Sequence, residues 1–255
     1  MIGVFDSGVG GLTVVKEIKK ILPDVSIIYV GDTARLPYGN KSRETIRKYS
    51  SEIVDFLKDR DCKTIVVACN TASALAGDYL REKYPDLKIY DVVSSGAEAA
   101  VETTKKKKVG VIGTTATINS NIYNKKISDI NSEIEVSVQA CPLFAPLVEE
   151  NWTNRPETKK IARVYLKDLK LKKIDTLLLG CTHYPLLEKT ISGVMGKRTK
   201  VIASGEKMAE KLKNEKINFT RGEDQYFVSD LTEHFEKLAK KILGENIKIK
   251  KCTMF

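Results

Sequence analysis

Short runs rich in Val, Ile and Leu alternate along the chain with stretches whose apolar residues recur every three to four positions. The first pattern is that of buried strands and the second that of helices packed on one face. Strands are predicted near 2–5, 26–31, 63–68, 88–92, 108–112, 134–138, 174–179, 199–203 and 225–228. Helical periodicity covers 11–22, 43–59, 72–83, 157–169 and 230–243, among other gaps. This alternation builds βαβ units and predicts an α/β fold with mostly parallel sheets.

An internal repeat divides the chain where no low-complexity linker does. The run Thr64-Ile-Val-Val-Ala-Cys69-Asn-Thr matches Thr176-Leu-Leu-Leu-Gly-Cys181-Thr-His, and Ile2-Gly-Val-Phe-Asp6-Ser7 matches Val109-Gly-Val-Ile-Gly-Thr114. The two registers differ by a short insertion. Two similar α/β halves are expected, with the carboxyl ends of their strands, and hence both cysteines, opening on the crevice between them.

A cysteine between a strand and a helix lies near unpaired N–H groups, which favours thiolate and predicts a lowered pKa. A free cysteine is also commonly a small buried hydrophobe, and Cys62 and Cys252 read that way. The symmetric pair Cys69 and Cys181 reads differently. Two thiols across a cleft can take a proton from one face of an acidic C–H and return one to the other face, inverting a chiral carbon. Each then needs a group to tune it. Asp6 ends the first strand and His183 lies two residues beyond Cys181. Asp6 could equally cap the following helix, and His183 could be a satisfied buried imidazole. Asn70, Thr71, Thr182 and the run Gly113-Thr114-Thr115-Ala116-Thr117 supply hydroxyls, an amide and helix-terminal N–H groups able to hold a carboxylate.

Composition narrows the classes. The chain has 255 residues, 42% of them hydrophobic, and a formal charge of +10. No apolar run approaches the roughly 20 residues needed to span a bilayer, and the N-terminal stretch carries Asp6 where a secretion signal would be apolar, so no membrane association and a cytoplasmic setting are expected. Five cysteines without a CxxC pair fit neither a disulfide framework nor a zinc ribbon. The Lys clusters at 105–108, 172–173 and 248–251 stand beside strands without interleaved aromatics, which argues for solvated surface and against nucleic acid. Asp6-Ser-Gly-Val-Gly-Gly imitates part of a dinucleotide fingerprint, but lacks its third glycine and would set Asp6 beside a pyrophosphate. No metal site is expected, although Cys69, Cys181 and His183 leave zinc open as an alternative.

DSGVGGLTV, GDTARLPYG, VACNTASA, GTTAT, ACPLFAPLVEE and LGCTHYPLL, in this order and spacing, resemble the cofactor-independent aspartate/glutamate racemase family over residues 1 to 205. His183, where the aspartate branch usually carries glutamate, favours the glutamate branch. The resemblance implies two pseudo-symmetric three-layer αβα domains, 1–95 with 207–255 and 96–206, with the active site in the interdomain cleft. It implies conversion between L- and D-glutamate, the D form serving bacterial peptidoglycan, with no cofactor and in a homodimer. Carried over, Cys69 and Cys181 are the two acid/bases, acting on D- and L-glutamate respectively. Asp6 assists the first; His183 and Glu150 assist the second. Ser7, Pro37, Tyr38, Gly39, Asn70, Thr71, Thr114, Thr117 and Thr182 match substrate positions, with Ser7, Tyr38 and Gly39 around the side-chain carboxylate. Glycine often follows the paired acids in the family; here Asn151 follows, a residue that tolerates left-handed backbone. Some members also inhibit DNA gyrase, a second activity that stays open here, although the sequence offers no added N-terminal extension for it.

Overall fold

The computed structural model describes residues 1–215, 222–244 and 247–252. Its strands are β1 (Ile2–Asp6), β2 (Ile27–Gly31), β3 (Thr64–Val67), β4 (Lys88–Asp91), β5 (Lys108–Gly113), β6 (Glu135–Ala140), β7 (Thr176–Gly180), β8 (Lys200–Ala203), β9 (Gln225–Val228) and β10 (Ile249–Lys251). The helices begin with α1 (Leu12–Ile21), α2 (Arg43–Lys58), α3 (Asn70–Lys83), α4 (Val92–Thr103), α5 (Thr115–Asn119) and α6 (Ile122–Ile130). They continue with α7 (Phe144–Glu149), α8 (Pro156–Leu171), α9 (Glu188–Met195), α10 (Ser204–Asn214) and α11 (Glu233–Leu243). Each of the nine predicted strands has its counterpart in β1 to β9.

The strands form two sheets, ordered β10-β9-β2-β1-β3-β4 and β6-β5-β7-β8, and every pairing is parallel. The block β2-β1-β3-β4 has the same order as β6-β5-β7-β8, so the sequence repeat is a repeat of topology. The first sheet is extended at one edge by β9 and β10. β10 was not predicted: Ile249-Lys250-Lys251 reads as part of a lysine cluster, and its two lysines are exposed on the outermost strand. Charge on an edge strand discourages pairing with another chain, which is why such a strand does not look like one.

Both sheets are covered on both faces. Ile2 and Val4 of β1 pack with α1, α10 and α11, while Phe5 packs with α2 and α3 on the other side. In the second sheet, Leu177 and Leu179 of β7 meet α8 and α9, and Leu178 meets α4 and α6. Burial on both faces explains the unbroken apolar runs that replace alternation in these strands. β4 runs directly into α4 and β8 directly into α10, and these two helices pack together, with Lys207 on Glu102 at 2.5 Å and Lys211 on Glu98 at 2.6 Å. The expected return segment 207–255 includes 216–221, 245–246 and 253–255, which lie outside the described residues. Among the described residues no helix is long and apolar enough to cross a membrane.

Candidate active site

Four central strands end at one place. β1 delivers Asp6 and Ser7, β3 delivers Cys69, β5 delivers Thr114, and β7 delivers Cys181, Thr182 and His183. Two of these residues also start helices. Cys69 caps α3, its sulfur accepting from the Ala72 N–H at 3.5 Å, and the Thr114 hydroxyl caps α5 by accepting from the Thr117 N–H at 3.3 Å. A strand end rigid on one side and a helix start on the other hold each side chain to a narrow range of positions.

Hydrogen bonds join the two sheet-centred halves here. The Thr182 hydroxyl donates to Asp6 Oδ1 at 3.3 Å, and the Thr13 hydroxyl donates to the Thr182 carbonyl at 3.1 Å. Thr71, Thr114 and Thr117 bring their hydroxyls into a triangle with sides of 3.0, 3.2 and 3.0 Å. Asn70 Nδ2 donates to the Tyr123 hydroxyl at 2.7 Å. Beside the thiols, Ser7 Oγ lies 3.8 Å from Cys69 Sγ, and His183 Nδ1 lies 3.9 Å from Cys181 Sγ. Asp6 does not cap α1, whose N-cap is Gly11; its Oδ2 accepts from the N–H groups of Gly8 and Gly11 at 3.1 and 3.0 Å.

The electrostatics correct one expectation. Burial, reinforced by the negative charge of Asp6, pushes the Cys69 thiol up to about 12, although the Ala72 N–H and Ser7 pull the other way. The helix terminus acts in the predicted direction and is outweighed by loss of water around the sulfur. Cys69 therefore rests as a thiol. Burial also raises Asp6, opposed by the charge of His183 and by its three hydrogen bonds. His183 shows the reverse balance: burial lowers it, but contacts with Cys181 and Glu149 prevail and push it up to about 10.

The carboxylate on His183 is a second correction. Glu149 Oε1 lies 3.1 Å from His183 Nε2, whereas Glu150, the residue expected from the resemblance, is exposed at the C-cap of α7. Successive helical residues point about 100° apart, so only one of two adjacent acids can face the ring. The next residue, Asn151, adopts the left-handed backbone its type tolerates, with φ of 56°, and accepts a hydrogen bond from Lys241 at 2.6 Å. The remaining predicted residues divide. Gly39 lies against Thr114, and the buried Tyr38 donates its hydroxyl to Asp32 at 2.5 Å, while Pro37 is exposed. Asp32 also accepts from Arg35 Nε at 2.7 Å and Ser229 at 2.9 Å, a knot unread in the sequence because Ser229 lies far along the chain.

Gly10 was missed as well. A Cβ there would sit 2.4 Å from Thr182 Oγ1 and 2.6 Å from His183 Nδ1, so the loop after β1 closes on the loop after β7 only without a side chain. Gly10→Ala is expected to destabilise the protein by about 1–3 kcal/mol through overpacking and to lower turnover roughly tenfold by displacing His183. Thermal melts and activity assays together check this; an alanine variant with unaltered activity would show that the loops do not meet this closely.

The model of the Asp/Glu/Hydantoin racemase family matches residues 2–212. A protein named glutamate racemase from Geobacter metallireducens is 48% identical over 250 residues, covering 95% of this chain and 92% of that one. The crystal structure of a glutamate racemase isoform from Bacillus anthracis superposes with a TM-score of 0.94 at 39% identity, covering 99% and 97% of the two chains. A Francisella tularensis glutamate racemase in complex with D-glutamate gives 0.92 at 37%, with the same coverage. With its paired strand-end cysteines, its parallel sheets and a relative this similar along nearly all its length, the chain belongs to the Asp/Glu/hydantoin racemase family.

Proposed function

We propose that this chain interconverts L- and D-glutamate, without a cofactor, by moving protons between Cys69 and Cys181. The observation that carries the reading is that the strand ends bearing the two cysteines, one from each half, converge on a cluster bound together by Thr182 to Asp6 and by Thr71 to Thr114 and Thr117. Glutamate over aspartate is favoured by His183 after Cys181, and by relatives named glutamate racemase, one of them holding D-glutamate.

In the L-to-D direction, the Cys181 thiolate takes the Cα proton of L-glutamate. The electron pair left on Cα spreads into the α-carboxylate, and the Cys69 thiol returns a proton to the opposite face. Cys181 ends as thiol and Cys69 as thiolate, the state from which D-glutamate reacts. The hard step is developing further charge beside a carboxylate. The Thr71 and Thr117 hydroxyls would meet it with oriented donors, which cost no reorganisation during reaction, while Asn70 and Thr182 would hold the substrate around Cα. Asp6 would face the substrate ammonium, and Ser7, Pro37, Tyr38 and Gly39 the side-chain carboxylate. No lysine lies in the motifs, so a Schiff base has no partner. Glu149, through His183, takes the role first read onto Glu150.

On this reading the two sheets belong to two domains, 1–95 with 207–255 and 96–206, that close on the substrate. The chain would work as a homodimer in the bacterial cytoplasm and supply D-glutamate for peptidoglycan. Proton NMR in D2O tests the chemistry: purified, metal-stripped, reduced protein is mixed with L-glutamate or L-aspartate and the Cα–H signal followed. Loss with glutamate alone, with chiral analysis showing the D form, is the expected result. Loss with aspartate alone would overturn the substrate assignment, and loss with neither would overturn the reaction.

A further inference from the structure

Tyr123 lies at the start of α6 in the second half and is 2% exposed. It touches both cysteine-bearing strand ends. Its ring packs on Gly180, the residue before Cys181: a Cβ on that glycine would come within 3.0 Å of ring carbon Cε2. Its hydroxyl crosses to the first half and accepts from Asn70 Nδ2, on the residue after Cys69, at 2.7 Å. That leaves one edge of the amide unused. Asn70 is 3% exposed and its Oδ1 is buried with no hydrogen-bond partner among the described residues. A buried amide oxygen left so costs about 1–3 kcal/mol, a cost that a donor on a ligand would remove.

We infer that Tyr123 is a positioning residue for racemisation, holding one edge of the Asn70 amide so that the other edge meets the polar groups around the substrate Cα. The inference rests on the glutamate reading above and names a residue which that reading does not use. A phenol can accept from the amide N–H or donate to its oxygen, so it grips the amide in either sense. Burial and the nearby charges of Asp91 and Cys181 keep this phenol protonated, although its hydrogen bond with Asn70 pulls the other way. The ring, seated on Gly180, fixes where the hydroxyl can stand relative to Cys181. One side chain thus ties the Asn70 amide to the opposite thiol.

The test is a double-mutant cycle of Tyr123→Phe and Asn70→Ala, assayed with both enantiomers. Tyr123→Phe keeps the ring and removes the grip. It is expected to raise KM about tenfold for L- and D-glutamate, with kcat within roughly threefold and the melting midpoint little changed. In the Asn70→Ala background the same substitution should change KM by less than about twofold, because there is no amide left to hold. Equal losses in both backgrounds would overturn the inference by assigning Tyr123 to packing alone, as would unfolding of the Phe variant. No loss in the wild-type background would also overturn it. Wild-type protein run alongside separates the readings: if it inverts glutamate and Tyr123→Phe is silent, only this inference falls. If wild type does not act on glutamate, both fall.

Discussion

Replacing either Cys69 or Cys181 by alanine is expected to abolish inversion of glutamate, by roughly a thousandfold or more, since a positioned acid or base contributes about 10²–10⁴ and each thiol is the group assigned to its own face. The two variants are not equivalent in what they keep. Cys181→Ala retains the thiol assigned to D-glutamate, and Cys69→Ala retains the one assigned to L-glutamate. In D2O each should exchange the Cα–H of its own enantiomer without inverting it. The exchange catalysed by Cys69 has a further signature. Its thiol is held near 12, so thiolate, and with it the exchange rate, should rise about tenfold per pH unit below that value. In the intact site this protonated resting state suits the L-to-D direction, where Cys69 is the donor. A single alanine variant with near-normal turnover both ways would overturn the assignment of two bases.

The parallel architecture was legible because strands buried on both faces leave an unmistakable run of apolar residues, and because the chain states its design twice. Thr64 to Cys69 and Thr176 to Cys181 already located the two strand ends, and the sheets place them at equivalent positions, on β3 and β7. β10 escaped for a physical reason, its short lysine-bearing edge being shaped by solvent and not by a core. What the sequence shows least well is anything settled by orientation. Glu149 and Glu150 are indistinguishable as letters, and a rotation of about 100° decides between them. The sign of the Cys69 shift likewise turns on how completely the helix start is buried, which local spacing does not report.

The pairs that cross between halves were the least readable of all. Asn70 meets Tyr123, Thr13 meets Thr182, and Gly10 makes room for His183, each contact joining residues whose own neighbours give no hint of the other. Conversely, the chemistry-bearing residues could be listed early because a strand end followed by polar residues and a helix has few uses other than a site. The sequence located the strand ends that carry Cys69, Cys181 and His183, while the protonation and supports of these side chains needed three dimensions.

Removing His183 should cost about 10²-fold in kcat/KM, and the loss must be the same in both directions, because the enantiomers have equal free energy and their equilibrium constant is one. The direction in which His183 works is therefore visible only in which proton transfer becomes slow. If it serves Cys181, then His183→Asn slows abstraction from L-glutamate and, equally, reprotonation on the way back from D-glutamate. The primary isotope effect should rise with L-glutamate deuterated at Cα and fall with the D enantiomer. In D2O, the variant should also exchange the Cα–H of D-glutamate faster than it inverts it. Isotope effects that move together would detach His183 from Cys181. The pH dependence has a sign of its own. With His183 held near 10, above the ordinary value of about 6.5, the charged form's contacts with Cys181 and Glu149 stabilise the fold fully below that ordinary value. The contribution drains away as pH climbs through 10. The melting advantage of wild type over His183→Asn should accordingly shrink between neutral pH and pH about 10, and the alkaline fall in wild-type turnover set by the imidazolium should be missing from the variant.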